Sequence, residues 1–240
     1  MAFPNSILTD HVYSEILRMI LSSRIIPGSR IREDILAEQL GVSRTPVREA
    51  VNRLTQNGFI TNVKRKGLYC VKFARQDLLD LLELRKSLES LSFEKCIDMA
   101  TDNDIDNLQF IIDDFNKKFA AILVQDKNIM ENELALLHND YDVRFHVGIA
   151  QISNSARLIQ YVNEVETMLL ISRQRIYSSN ERIEIVRLSW THHQQIIDAI
   201  RAKSKEAAKA LLEGHIGLMA DTQVNIDLAD DLVRTRQERK

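Results

Sequence analysis

The spacing of apolar residues divides the chain into a short mixed segment and a long helical one. Near the N-terminus, Val12, Ile16, Met19 and Ile20 recur at the spacing of an amphipathic helix. Beyond position 76 the helical spacing continues almost to the end, interrupted by short polar clusters. This pattern predicts six helices, over roughly 76–99, 105–124, 129–152, 156–178, 183–203 and 206–226. Consecutive helices joined by short connections most often pack as an antiparallel bundle, which is the fold that we expect for this part.

A helix-turn-helix pattern lies between these two parts. The run 32–40 places Ile35, Leu36 and Leu40 on one side of a helix, with a small residue where a crossing helix could approach. Gly41 then permits a tight turn, because glycine adopts backbone conformations that other residues avoid. We therefore expect a second helix to cross the first directly after this turn.

The second helix carries polar side chains on one face. Val47, Val51 and Leu54 recur at i, i+4 and i+7, which predicts one buried stripe, and Ser43 is placed to cap the N-terminus. The positions left facing outward are Arg44, Thr45, Arg48 and Asn52. Arginine forks fit guanine edges and phosphates, so this face, together with Ser43, has the chemistry of major-groove recognition.

A basic hairpin follows the helix. Two short strands are predicted over 59–63 and 68–71, and the residues between them include Lys64, Lys66 and Gly67. Upstream, a turn at 26–29 has proline and glycine in adjacent positions. Helices, turn and hairpin together predict a winged helix whose lysines contact phosphates or the minor groove of DNA.

Residues 9–73 resemble the winged helix of the GntR family. The shared pattern appears as Pro27-Gly28-Ser29, Leu36-Ala37, the run GVSRTPVREA over 41–50, and Leu54. The resemblance implies binding to double-stranded DNA, through the recognition helix and the hairpin described above. A winged helix kept only for protein contacts would not need so many arginines.

Charge separates the two parts of the chain. Residues 1–73 contain eleven Lys and Arg against six Asp and Glu, a net charge of +5, whereas the whole chain is at −2. A basic head on an acidic body indicates that nucleic acid meets only the head. We expect a DNA-binding domain over 1–73, a linker over 74–77, a helical domain over 78–230 and a polar tail over 231–240.

The composition argues for a cytoplasmic protein. Cys70 and Cys96 are too few for a disulfide framework and lack the spacing of a thiolate metal site, so we expect semi-buried thiols. No apolar run is long enough to cross a membrane, and the N-terminus lacks the basic start and apolar core of a signal peptide. We therefore expect no membrane partner.

Two histidines of the body are predicted to meet. His193 shares an apolar stripe with the isoleucines that follow it, whereas His192 points about 100° away on the same helix. His215 shares a face with Leu211 and Leu212. Both inward histidines lie eleven residues from the expected turn at Ser204, so in an antiparallel hairpin they stand at the same height.

A third element could complete a metal site. Asp142 and His146 are spaced i, i+4, which stacks them on one helical face beside an apolar stripe. Taken singly, each histidine is more often a core residue than a ligand. Taken together, three inward histidines and one carboxylate in a bundle core suit a divalent transition metal such as Zn, Ni, Co or Mn. Four protein ligands could leave open coordination positions.

The body resembles the FCD effector domain of FadR-type GntR regulators. The resemblance rests on Leu84–Glu89, Asp142–His146, His193–Ile196 and Ala210–His215. It implies that Asp142, His146, His193 and His215 hold a metal ion, with zinc favoured. The residue at position 192 is often acidic in the family, so His192 is either an outer-sphere group or an exposed side chain. The family's Ser-Gly-Asn turn reads Ser153-Asn154-Ser155 here.

An open metal position beside a buried cation would select small organic acids, and Arg85 is the candidate cation. The resemblance implies the same ligand class. Arg85 could instead only pair with Glu89 at i, i+4, and Arg173 and Arg175 are weaker candidates for the same role. The sequence thus predicts a homodimeric, acid-responsive transcription regulator and repressor that binds a palindromic operator.

Two alternatives to this function stay open at the level of sequence. A zinc ion with an open position can activate water, so the body could be a metal-dependent hydrolase fused to a DNA-binding head. Against this, no separate Glu or Asp can be identified in the sequence as a general base. We therefore expect that the protein is not an enzyme. The body could also be a dimerisation bundle without a ligand, in which the histidines only pack.

Overall fold

A computed structural model describes residues 5–22, 24–124, 127–173 and 181–218. The chain divides into two compact units, with the boundary after Phe73. The architecture is mainly helical with one small sheet, as the sequence predicts. Within the described ranges, none of the helices combines the length and apolar character of a membrane-spanning segment.

The N-terminal unit is a winged helix-turn-helix. It consists of α1 (Asn5–Leu21), α2 (Glu33–Leu40), α3 (Arg44–Gln56), β1 (Ile60–Val63) and β2 (Gly67–Cys70). Its core joins Val12, Ile16 and Ile20 of α1 to the predicted stripe of α3, Val47, Val51 and Leu54, all at most 1% exposed. Burial of this apolar surface is the main force that holds α3 against α1.

The backbone of the turn between α2 and α3 has the tight conformation that the sequence predicts at Gly41. Gly41 has φ +66 and ψ +30, a left-handed conformation that glycine adopts without steric cost. Ser43 occupies the N-cap of α3 with extended backbone, although its hydroxyl makes no capping hydrogen bond. One prediction is wrong: Ile35 is 40% exposed, because the buried side of α2 is formed by Leu36 and Ala37 instead.

The wing is a two-stranded antiparallel sheet. Ile60 pairs with Cys70 and Val63 with Gly67, and the Lys66 amide donates to the Val63 carbonyl across the turn. Gly67 has φ +104, a conformation that side chains with a Cβ rarely adopt. The strands begin and end within one residue of the predicted ranges.

The C-terminal unit is a helical bundle. It consists of α4 (Arg75–Met99), α5 (Asp102–Ile122), α6 (Lys127–Ile152), α7 (Ala156–Arg173), α8 (Glu181–Arg201) and α9, described over 205–218. Helix α4 begins inside the span predicted as a linker (74–77), because the carboxylate of Asp77 accepts a hydrogen bond from the Ala74 amide. The predicted helical residues 174–178 and 219–226, and the predicted tail 231–240, lie outside the described residues.

Cross-helix contacts show the direction of the helices. Arg85 of α4 contacts Asp142 of α6, and one turn later Glu89 contacts His146, so α4 and α6 run parallel. Similarly, His138 meets Trp190 and His146 meets His193 further along, so α6 and α8 run parallel. A turn at 202–204, with φ +53 at Lys203, reverses the chain between α8 and α9.

The turn between α6 and α7 explains the Ser153-Asn154-Ser155 sequence. Asn154 has φ +51, a left-handed conformation that suits glycine first and asparagine next. The buried hydroxyl of Ser153 donates to the Ala150 carbonyl at 2.6 Å and accepts from the Ser155 amide. Asn154 therefore stands where the family often has glycine, in a backbone conformation that glycine also adopts.

Both cysteines are more buried than predicted. Cys70 is 1% exposed and Cys96 is fully buried, and neither forms a disulfide. Burial raises the pKa of the Cys70 thiol to about 11 and that of Cys96 to about 12. Both side chains act as small apolar packing groups at neutral pH.

Candidate DNA interface and metal centre

The predicted DNA-reading residues lie on the exposed side of α3 and on the wing, and Arg44 and Gly67 line one cleft between these elements. Val47, Val51 and Leu54 turn one side of α3 into the core, which directs the opposite side to solvent. The exposed positions are Ser43, Arg44, Thr45, Arg48 and Asn52. On the wing, Lys64 and Lys66 are exposed and Gly67 is half-buried. This arrangement provides an arginine-bearing helix and a basic hairpin, the two contact elements of a winged helix.

Arg30 joins this surface, although the sequence analysis did not single it out. Its backbone bridges to Tyr69 beside the wing, and a Cβ added at Gly67 would come 3.5 Å from Arg30 Nη2. Arg30 and Arg44 line a cleft of about 460 Å³ at the base of the wing. Arg32 also lines the cleft but is neutralised by Asp34 at 2.6 Å. The signal in the sequence was a basic residue directly after the turn at 26–29.

Four side chains converge at a single point in the core of the second unit. They are Asp142, His146, His193 and His215, none more than 1% exposed. The three imidazole Nε2 atoms lie 3.2, 3.2 and 3.3 Å from one another. Asp142 Oδ1 lies 3.6, 3.4 and 4.0 Å from the Nε2 atoms of His146, His193 and His215. The predicted pairing of His193 with His215 across the hairpin is thus present.

The size of this cluster fits a metal ion. A tetrahedron with edges of about 3.4 Å has its corners about 2.1 Å from its centre, which matches zinc–nitrogen and zinc–oxygen bonds. Three imidazole nitrogens that approach at 3.2–3.3 Å repel one another unless a proton or cation lies between them. Imidazole and carboxylate are also the ligand types that zinc, nickel, cobalt and manganese accept.

Glu89 orients one of the ligands. Its Oε2 lies 2.8 Å from Nδ1 of His146, which favours the proton on Nδ1 and leaves the Nε2 lone pair for a metal. Burial alone would lower the pKa of His146, but the charge of Glu89, aided by Asp142, outweighs it and raises the pKa to about 9. His146 therefore binds a proton readily when no cation competes for it.

The other two histidines behave in the opposite way. Burial, which disfavours a charged imidazole, holds the pKa values of His193 and His215 well below the ordinary value. Both rings are therefore neutral at physiological pH, the form that binds metal. His192 is half-buried, with its ring centroid 6.1 Å from that of His215, and lies outside the four-ligand cluster.

Arg85 is buried beside the cluster, 1% exposed. Its Nε lies 2.7 Å from a carboxylate oxygen of Glu89 and 2.7 Å from one of Glu166, and its Nη2 lies 3.8 Å from Asp142. The predicted i, i+4 pair with Glu89 is therefore present. Nη1 and Nη2 nevertheless have no hydrogen-bond partner among the described residues.

The buried charges around the cluster do not balance. One guanidinium, Arg85, stands against three carboxylates, Glu89, Asp142 and Glu166. The described groups therefore sum to a net charge of −2 with neutral imidazoles, and to −1 with a proton on His146. Burial alone would raise the pKa of Glu89, but Arg85 and His146 outweigh it and hold the carboxylate ionised. Uncompensated buried charge is strongly unfavourable, and one divalent cation would neutralise this set.

Glu166 is the member of this set that the sequence analysis missed. It lies on α7 among the buried residues Val162, Val165 and Leu169, so an acidic residue inside an apolar stripe was the available signal. The weaker candidates Arg173 and Arg175 lie where the structure does not describe side chains.

Comparison with known proteins agrees with both units. Residues 8–70 match the bacterial regulatory proteins of the gntR family, and residues 80–218 match the FCD domain. The Nta operon transcriptional regulator of Aminobacter aminovorans is 32% identical over 82% of this chain and 86% of its own length. The chain belongs to the GntR family of transcription regulators and carries an FCD domain.

Other proteins match this GntR regulator over most of its length. The gluconate operon transcriptional repressor of Bacillus licheniformis is 25% identical over 81% of this chain and 76% of its own. Among solved structures, E. coli McbR/YncC shares the fold with a TM-score of 0.73 at 21% identity, over 94% of this chain and 99% of its own. The hydrolase alternative is not favoured, because these relatives are regulators of transcription.

Proposed function

We propose that this GntR regulator binds a divalent metal ion, zinc first, through Asp142 Oδ1 and the Nε2 atoms of His146, His193 and His215. The observation that carries the proposal is the convergence of these four atoms at the dimensions of a ligand polyhedron. Nickel, cobalt and manganese fit the same donors. When bound, the cation would offset the net negative charge of the site, and an oxygen of the effector would add to the four protein ligands as a fifth.

The metal content of purified variants tests this proposal. His193→Ala and His215→Ala should each lose the ion, because removal of one of four ligands leaves an incomplete site. His192→Ala is the matched control, since it removes an imidazole next to the cluster but not in it. Equal metal retention in all three proteins would contradict the assignment.

We further propose that the metal and Arg85 together bind a small carboxylate effector. Nη1 and Nη2 of Arg85 form a donor fork without a hydrogen-bond partner among the described residues, which suits the two oxygens of a carboxylate. Because Arg85 is buried away from water, such a charged contact is stronger there than at the surface. The name of the gluconate operon repressor connects one relative with a small organic acid.

On the DNA side, we propose that Arg44, Arg48 and Asn52 read base edges, with Ser43 and Thr45 on the adjacent backbone. Lys64, Lys66 and Gly67 of the wing, together with Arg30, would contact phosphates or the minor groove. The support is the exposure of these side chains and the cleft that Arg30, Arg44 and Gly67 share. Phosphate contacts position the protein, whereas base contacts in the major groove give specificity.

We propose that the regulator acts in the cytoplasm as a homodimer on a palindromic operator. Leu84 and Leu91 lie seven residues apart on α4 and are 47% and 45% exposed, which gives this helix an apolar stripe suited to a second copy. A two-fold dimer presents two heads to two half-sites. Effector binding would then change operator affinity, and we propose release from the operator, hence repression that the acid relieves.

A further inference from the structure

Two buried polar side chains near the metal ligands have no hydrogen-bond partner among the described residues. Asn139 is 2% exposed, and neither its amide nitrogen nor its amide oxygen is hydrogen-bonded. Ser189 is fully buried, and its hydroxyl is also unpaired. With Arg85, whose Nη1 and Nη2 are unpaired as well, they form a set that we name the polar layer. Unpaired buried polar groups are costly, so their retention calls for an explanation.

The three side chains lie on the same side of the metal ligands. Asn139 precedes His146 by seven residues, two helical turns, and so shares its face of α6. Ser189 precedes His193 by four residues and shares its face of α8. Because α6 and α8 run parallel, both polar residues stand towards the N-terminal ends of these helices.

Arg85 stands at the same end. It contacts Asp142, whereas Glu89, one turn further along α4, contacts His146. Because α4 also runs parallel to α6, Arg85 marks the side of the cluster that Asn139 and Ser189 occupy. The polar layer therefore comes from three helices: Asn139 and Ser189 precede the ligands on α6 and α8, and Arg85 of α4 lies beside Asp142.

We propose that the polar layer binds a hydroxyl group of the effector, which makes the ligand a hydroxy acid rather than a simple carboxylic acid. This inference rests on the proposed metal and carboxylate site. Asn139 and Ser189 are thereby added to the proposed effector site. Their role is to select the ligand, not to hold the metal.

The hydrogen-bonding capacities match this ligand class. A guanidinium only donates, so Arg85 suits a carboxylate. An amide and a hydroxyl each both donate and accept, so Asn139 and Ser189 suit a group with the same double capacity, such as an alcohol. An acid without a hydroxyl leaves these two side chains unpaired, and a site that contains unpaired buried groups discriminates against such a ligand.

Paired acids test the proposal on the full-length, zinc-loaded protein. Lactate is compared with propionate, and malate with succinate, because each pair differs by one hydroxyl. Binding is followed by calorimetry and by the fluorescence of Trp190, the one tryptophan of the chain, whose ring lies 4.6 Å from that of His193. We expect the hydroxy acid of at least one pair to bind about tenfold more tightly than its partner.

Two variants assign that preference to the layer. Asn139→Leu keeps the shape of the side chain and Ser189→Ala removes only the hydroxyl, so each should weaken the hydroxy acid about tenfold and leave its partner within about twofold. Ser92→Ala is the matched control, because Ser92 is equally buried but its hydroxyl donates to the Leu88 carbonyl at 2.9 Å. Without acid, Asn139→Leu should raise the thermal midpoint, since it removes an unpaired amide.

The outcomes separate this inference from the function on which it rests. If acids bind the zinc-loaded parent but both members of each pair bind equally, or if the preference survives in Asn139→Leu and Ser189→Ala, the hydroxyl assignment is wrong and the carboxylate site stands. If none of the four acids binds the zinc-loaded parent, both proposals fail.

Discussion

At the scale of single residues, two arginines of α3 show how surroundings decide a role. Arg53 forms an ion pair with Asp10 and lies over the ring of Tyr13, with 4.5 Å from its Cζ to the ring centroid. Arg48 is exposed and has no ion pair among the described residues. Both carry the same charge on the same helix, but only Arg48 is available to a base edge. Substitution of Arg48 therefore tests base recognition, and substitution of Arg53 is its control.

We expect Arg48→Ala to weaken binding to the operator by about 1–3 kcal/mol and to relax specificity, the range for an arginine that reads a guanine. Arg53→Ala removes the same charge from the same helix and should have a much smaller effect. Titration of operator and scrambled DNA at one salt concentration measures both. Operator binding by Arg48→Ala as tight as that of the parent would refute the groove assignment.

The histidines of the cluster predict an unusual pH dependence for the metal-free protein. His193 and His215 have lowered pKa values in the folded state, so below about pH 6.5 the unfolded chain binds more protons than the folded one. The free energy of unfolding therefore decreases as the pH is lowered through this range. His146 has a raised pKa of about 9, so its contribution is present below pH 6.5 and is lost as the pH rises to 9. Stability should therefore decrease on both sides of about pH 6.5.

Chemical denaturation of metal-free protein between pH 5 and 9 measures this effect. His146→Gln should remove the loss above pH 6.5 and keep the loss below it. Zinc bound as proposed would keep all three rings neutral, so the stabilisation by zinc should grow between pH 6.5 and 9, as protons compete less. Metal-free stability that rises steadily over this range would mean that Glu89 does not hold a proton on His146.

At the scale of elements, the features that follow from helical periodicity could be predicted from the sequence. The stripe of α3 and the equal distances of His193 and His215 from Ser204 predict a buried face and a cross-hairpin contact, because both follow from helix geometry alone. Glu166 could not be assigned in this way, since its contact with Arg85 joins α7 to α4 and depends on their packing. Ile35 was misplaced because Leu36 and Ala37 offered a competing buried face.

The wing allows a prediction about salt dependence. Lys64 and Lys66 are exposed beside a turn whose shape is set by Gly67, so they should neutralise phosphates without reading bases. Removal of either lysine should weaken operator and nonspecific DNA alike, and should reduce the slope of log K against log salt by about one. Lys209→Ala, an exposed lysine of α9, is the control. A selective loss on operator DNA would instead place the lysine at a base edge.

At the scale of the whole molecule, the chain joins a basic unit of net charge +5 to an acidic body. We therefore expect DNA to bind the first unit, and a cation to bind among the buried anions of the second. Only a few residues separate the last wing strand, which ends at Cys70, from α4, which begins at Arg75. Because α4 carries Arg85 and Glu89, the helix that leaves the DNA-binding unit also lines the proposed effector site.

This continuity supports the last prediction, that the effector changes operator affinity. An acid that contacts the metal and Arg85 would favour one arrangement of α4, and a dimer reads its two half-sites only at a matching separation. Coupling of about 1–3 kcal/mol would change operator affinity about 5- to 150-fold, and we expect weaker binding with acid present. Operator titrations with and without lactate and malate, in the zinc-loaded parent and in His193→Ala, measure the coupling. The parent should respond and His193→Ala should not, because it lacks a metal ligand, whereas an equal response in both would exclude the metal from sensing.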